Sequence, residues 1–79
     1  MQHTTVPRLN EVFRAVLELP PDAEVTEARQ EASPNWDSLA HAVLVGALES
    51  EFGLTIDAAD SLNLTSYKSV ALFLEERGL

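Results

Sequence analysis

Cysteine is absent from this chain, so neither a disulfide frame nor a thiolate metal site can reinforce it. Basic side chains are scarce, five against thirteen acidic ones, which leaves a formal net charge of −8. With no basic patch to release counterions, nucleic acid and anionic membrane surfaces are excluded as partners. No apolar run approaches the roughly 18 residues that a membrane span needs, and the N-terminus lacks a basic-then-apolar leader pattern. Together these absences lead us to expect a cytoplasmic protein of a reducing compartment. Glycine and proline number only three and four, too few for a disordered tract. Alternating strand patterns and internal repeats are missing as well. The expected fold class is therefore all-α.

What remains is 79 residues, 46% of them hydrophobic, enough for one packed domain. A domain of this size buries only about 60% of its unfolded-chain surface, so its core is thin. The surplus carboxylates keep such a chain soluble, and they favour partners with basic docking faces.

Four helical segments are expected. The first runs from about Thr5 to Leu19, with Pro7 tolerated in the opening turn and Leu9, Val12, Phe13 and Val16 at the spacing of a buried face. Pro20-Pro21 stops it. Residues 20–37 form a long acidic connection, in which Thr26 to Ala32 has room for a short helical turn and Trp36 serves as an anchor onto the bundle. The second helix spans Ser38 to Phe52, with Asp37 or Ser38 as N-cap and Gly53 as terminator. Leu44, Val45, Leu48 and Phe52 make its core face, while Leu39, Val43, Gly46, Ala47 and Ser50 form a second, nearly uncharged face that is expected to dock against partners. A short third helix covers Asp57 to Leu62. The last runs from Ser66 to Arg77, burying Tyr67, Val70, Ala71 and Leu74, with Gly78 as its cap.

Trp36-Asp37-Ser38-Leu39 is the most informative segment. It places a serine hydroxyl on the first turn of the most apolar helix, at the mouth of a loop. Free backbone N–H groups and the positive end of the helix dipole make such a position hospitable to a phosphate. Asp37-Ser38-Leu39 stands upstream of Ala47-Leu48-Glu49-Ser50-Glu51-Phe52-Gly53, and Leu64-Thr65-Ser66-Tyr67 leads into the final helix. This arrangement, from about Leu9 to Leu74, resembles the acyl carrier protein family.

The resemblance implies a small four-helix bundle with a long loop between helices 1 and 2 and a short third helix. It implies that Ser38 bears 4'-phosphopantetheine, taken from coenzyme A, whose thiol carries acyl groups as thioesters between enzymes of a biosynthetic pathway. The implied partners are a phosphopantetheinyl transferase, contacted by Asp37 and Leu39, and acyl-loading and acyl-transfer enzymes with basic or apolar docking faces. The carrier itself is then a monomer and not an enzyme. By helical phase Leu39, Val43 and Gly46 form its partner face, with Glu49 and Glu51 on the flanks as steering charges. Ala40 to Gly46 carries none of the acidic residues usual in fatty-acid carriers, so specialised or polyketide-type metabolism is expected over bulk fatty acid synthesis. The cargo is expected to be short or polar, because Phe13, Leu44, Leu48, Phe52, Tyr67 and Trp36 fill a core with little volume to spare.

Other readings compete. An aminoacyl or peptidyl carrier of a nonribosomal pathway uses the same mechanism with different cargo. An unmodified helical interaction module would use Val43 and its neighbours alone. A Ser38–His41 hydrolase lacks an orienting carboxylate, an oxyanion hole and a water-excluding pocket. His41 falls on the core-side stripe, where a hydrogen-bonded structural role or a place along the arm's path is expected. Asp57 and Asp60 share a helix face without the glycine and the final acid of a calcium loop, so a cap and a solvated carboxylate are expected there.

Overall fold

A computed structural model describes residues 2–79. Among these residues the chain forms four α-helices and no strand: α1 (Thr5–Leu17), α2 (Ser38–Phe52), α3 (Ala58–Asn63) and α4 (Tyr67–Glu76). No helix is long and apolar enough to cross a membrane. The only ladder-like element described is a single antiparallel bridge between Arg29 and Ser66. There Gln30 N donates to Thr65 O at 2.8 Å and Tyr67 N donates to Ala28 O at 2.9 Å.

α1 ends earlier than Leu19. Pro20 disfavours helical geometry at the residue before it, so the turn must close upstream of the prolines. Glu18 closes it in the left-handed region, at φ 52°. A non-glycine residue there costs on the order of 1 kcal/mol. The turn is held by Arg14, whose guanidinium donates to Pro20 O and Ala23 O, both at 3.3 Å. The inward face also shifts: Leu9, Val12, Phe13 and Leu17 are buried, whereas Val16 is half-buried.

The connection from α1 to α2 carries two single 3-10 turns, Val25–Glu27 and Gln30–Ala32. Val25 and Ala28 are buried, and the first turn packs on both α1 and α4. An isolated valine in an acidic stretch has no period of its own, so only this packing gives it a place. Asn35 Nδ2 donates to Leu17 O at 3.1 Å and satisfies one of the carbonyls left over at the end of α1.

Helix ends follow local chemistry closely. Asp57 caps α3 through Asp60 N at 2.8 Å. Ser66 and Ser69 form a reciprocal capping box at the start of α4. At its end Gly78, at φ 81°, and Leu79 return their N–H groups to Glu75 O and Leu74 O, both at 3.0 Å, which completes a Schellman motif.

The core is continuous across α1, α2, α4 and the connections, with Leu9, Phe13, Leu17, Leu44, Leu48, Val70 and Leu74 fully buried and Trp36 and Leu64 2% exposed, while α3 itself buries no residue. α4 buries Phe73 in addition to Tyr67, Val70 and Leu74, while Ala71 is only half-buried. The Arg77 guanidinium lies 4.1 Å from the centre of the Phe73 ring. Tyr67 ties α4 to α1 by donating to Asn10 Oδ1 at 2.7 Å. Its phenol is raised above the ordinary value of 10.0, first by burial and then by the Glu24 carboxylate.

Candidate functional site

Ser38 is the first residue of the 15-residue α2, and its side chain is exposed. The choice of cap is settled in favour of Asp37, whose backbone is extended and whose Oδ1 accepts from Ala40 N at 2.8 Å. His41 N donates to Asp37 O at 2.9 Å as the first bond of the helix ladder. The amides of Ser38 and Leu39 have no protein acceptor among the described residues. They belong to two exposed residues at the positive end of the helix dipole.

The exposed side of α2 that follows Ser38 is apolar. Leu39 is 75% exposed and Val43 52%, and on α3 Leu62, next to the Ser61 that His41 contacts, is 79% exposed. Ala42 and Gly46 are exposed as well, and a Cβ built on Gly46 would meet nothing within 4 Å. Leu44, Leu48 and Phe52 on the opposite face are buried, with Val45 half-buried. The two stripes thus largely lie where the 3.6-residue period puts them, except that Ala47, expected on the docking face, is half-buried against the core.

The two acids behave differently from free steering charges. Glu49 is half-buried, and its Oε2 accepts from Ile56 N at 2.8 Å, which pins the connector after α2. Glu51 pairs with Arg8 Nε at 2.8 Å and accepts a second guanidinium bond on its backbone carbonyl. The Arg8 guanidinium also lies 4.7 Å from the centre of the Phe52 ring. Both carboxylates therefore serve the fold. Asp57 is occupied as a cap, and Asp60 accepts from Arg77 at 3.2 Å.

His41 lies three residues past Ser38 and faces inward, half-buried. Trp36, 2% exposed, donates its indole N–H to His41 Nδ1 at 3.0 Å. The two rings stack with centroids 6.1 Å apart and planes 23° apart. On its other edge His41 Nε2 stands 2.9 Å from Ser61 O and 3.2 Å from Ser61 Oγ. Trp36 meets Phe13 edge-on at 5.6 Å, so the loop's last residues are held to the core as an anchor. Neither Trp36 as the partner of His41 nor Ser61 and Leu62 beside the site is marked by sequence period. One signal does exist for the first pair, since a buried indole N–H requires an acceptor within reach.

No protein-family model matches the chain, and no curated protein matches it in sequence. Chemically, the arrangement offers a primary hydroxyl, two unpaired amides and an apolar collar. The nearby imidazole is turned away from the hydroxyl and spent on Trp36 and Ser61.

Proposed function

We propose that this chain is a phosphopantetheine-dependent acyl carrier. Ser38 Oγ forms a phosphodiester with the phosphopantetheine part of coenzyme A, and the adenosine bisphosphate part leaves. The free thiol at the end of the arm then carries acyl groups as thioesters between enzymes. One observation carries this reading: Ser38 opens a capped helix, its hydroxyl is exposed, and two unpaired amides stand beside it. Those amides and the helix dipole suit the phosphodiester. The residues fit the group, because a flexible arm needs only an accessible hydroxyl and no cradle. A second observation supports the partners: Leu39 and Val43 form an exposed apolar face beside the arm, with no charged residue between Ser38 and Leu48. That face suits a phosphopantetheinyl transferase and acyl-transfer enzymes with apolar docking surfaces, and it favours specialised over bulk fatty-acid metabolism.

The test is intact mass. The chain is incubated with coenzyme A, magnesium and a broad-specificity phosphopantetheinyl transferase. One phosphopantetheine is added to wild type and none to Ser38→Ala. If wild type stays unmodified while a control carrier is modified, the carrier reading fails, and the exposed face of α2 is left as an interaction surface without an arm.

A further inference from the structure

We propose that Trp36, His41 and Ser61 form a clasp that closes the core beside Ser38 and restricts the cargo to acyl groups that travel in solvent. The inference rests on the carrier reading above and adds the residues that decide cargo class.

The hydrogen-bond roles in this clasp follow from chemistry. An indole N–H can only donate, so His41 Nδ1 must be the acceptor of the 3.0 Å bond from Trp36. The proton of the neutral ring is therefore on Nε2, which donates to Ser61 O at 2.9 Å. The imidazole thus bridges the end of the α1–α2 connection to the last turn of α3, with both ring nitrogens in use.

Position gives the clasp its consequence. Ser38, Leu39, Ala42 and Val43 are exposed on one side of α2, and His41 is turned toward the other. Three residues beyond His41 and Ser61 stand Leu44 and Leu64, 0% and 2% exposed, in the innermost layer of the core. On this proposal a hydrocarbon tail folding back from Ser38 between α2 and α3 has to pass the imidazole, which joins the two helices through Ser61, to reach those leucines. To pass, it must displace the ring. That would strand the Trp36 N–H, in an indole packed on Phe13, and take from the Ser61 carbonyl one of its two donors, leaving only Leu64 N at 3.2 Å. At present no buried side-chain nitrogen or oxygen among the described residues lacks a partner. Four surface hollows lie beside Arg29 and Ser66, between Val12 and Ala47, between α3 and α4 along Leu64, Leu72 and Phe73, and beneath Pro20 and Pro34, and neither Ser38 nor His41 lines any of them. A long alkyl chain gains from burial with every methylene, so a closed entry selects against it. Short acyl and hydroxylated or amino-bearing units lose little by remaining outside.

The experiment compares holo protein bearing acetyl and octanoyl thioesters, with methyl chemical shifts of Leu44, Leu48, Leu64 and Val70 as the readout. In wild type the two forms should give indistinguishable core spectra. In His41→Ala the octanoyl form alone should shift those methyls, and its thioester should react more slowly with hydroxylamine than the acetyl form. His41→Gln, which keeps an acceptor and a donor, should restore the wild-type pattern. Should His41→Ala not fold, Trp36→Phe keeps a ring against Phe13 while deleting the indole N–H, and the same opening is expected. Octanoyl-dependent core shifts in wild type overturn the clasp while leaving the carrier reading standing. Folded His41→Ala and Trp36→Phe forms that both keep the chain outside overturn it equally. Failure of the arm to attach in the first step overturns the carrier reading itself, and mass alone identifies that case.

Discussion

Replacing Asp37 by alanine removes the acceptor that holds Ala40 N at 2.8 Å and opens the first turn of α2. Losing such a cap costs about 1 kcal/mol, and losing the negative charge at the positive end of the helix adds roughly 0.5 kcal/mol. In a domain of this length, a loss of about 1.5 kcal/mol lowers Tm by roughly 6–12 °C. Asp37→Asn keeps an oxygen in place and loses only the charge, so its Tm should fall by no more than about 2–4 °C. Thermal unfolding followed by circular dichroism measures both. The same pair separates structure from recognition, because Asp37→Asn leaves Ser38 presented as before. A large fall in its rate of phosphopantetheine loading then reads out a charge contact with the transferase. If Asp37→Ala melts with wild type, the cap does not hold this helix and the reasoning fails. If the asparagine variant falls as far as the alanine one, charge and not the hydrogen bond carries the effect.

Two further outcomes follow from burial and charge. Val43→Asp, on the exposed stripe, should change stability by no more than about 0.5 kcal/mol while weakening acyl loading by the cognate enzyme, whereas the neighbouring Leu44→Ala should cost about 2–5 kcal/mol; urea unfolding distinguishes them, and an unfolded Val43→Asp would refute the assignment of faces. Tyr67, with its phenol raised by burial and by Glu24, contributes stability that is complete below its ordinary pKa of 10.0 and is lost as pH climbs through the raised value. Wild type should therefore lose more stability than Tyr67→Phe between pH ~9 and ~11, and equal losses would show that the phenol is not held protonated by the fold.

Much of the helical layout was legible because its punctuation is local. Asp37, Asp57 and Ser66 cap the helices they precede, and Gly53 and Gly78 take the positive φ that closes a helix. Each of these needs only its own few neighbours. The two faces of α2 were legible from the 3.6-residue period except at Ala47, which packs against the core. The exposed position of Ser38 followed from its place on the first turn at the mouth of the loop.

Where the sequence left the outcome open, a partner distant in the chain decided it. Leu17 and Phe73 stand in phase with Phe13 and Val70, but the period alone does not choose them over Val16 and Ala71; packing does. Val25 has meaning only once α1 and α4 converge on it. Glu49 read as a surface charge, yet its carboxylate caps the Ile56 amide, because the chain turns back on itself after Gly53. His41 could be read as inward-facing from helical phase alone. That its two nitrogens join Trp36 to Ser61 required α3 to fold back alongside α2, which no local preference encodes. By itself the sequence determined which residues start, end and line the helices, because backbone capping and periodicity act over a few residues. Tertiary structure decided which polar side chains are consumed inside the fold and which stand free beside Ser38, because hydrogen bonds between distant segments exist only after those segments have packed.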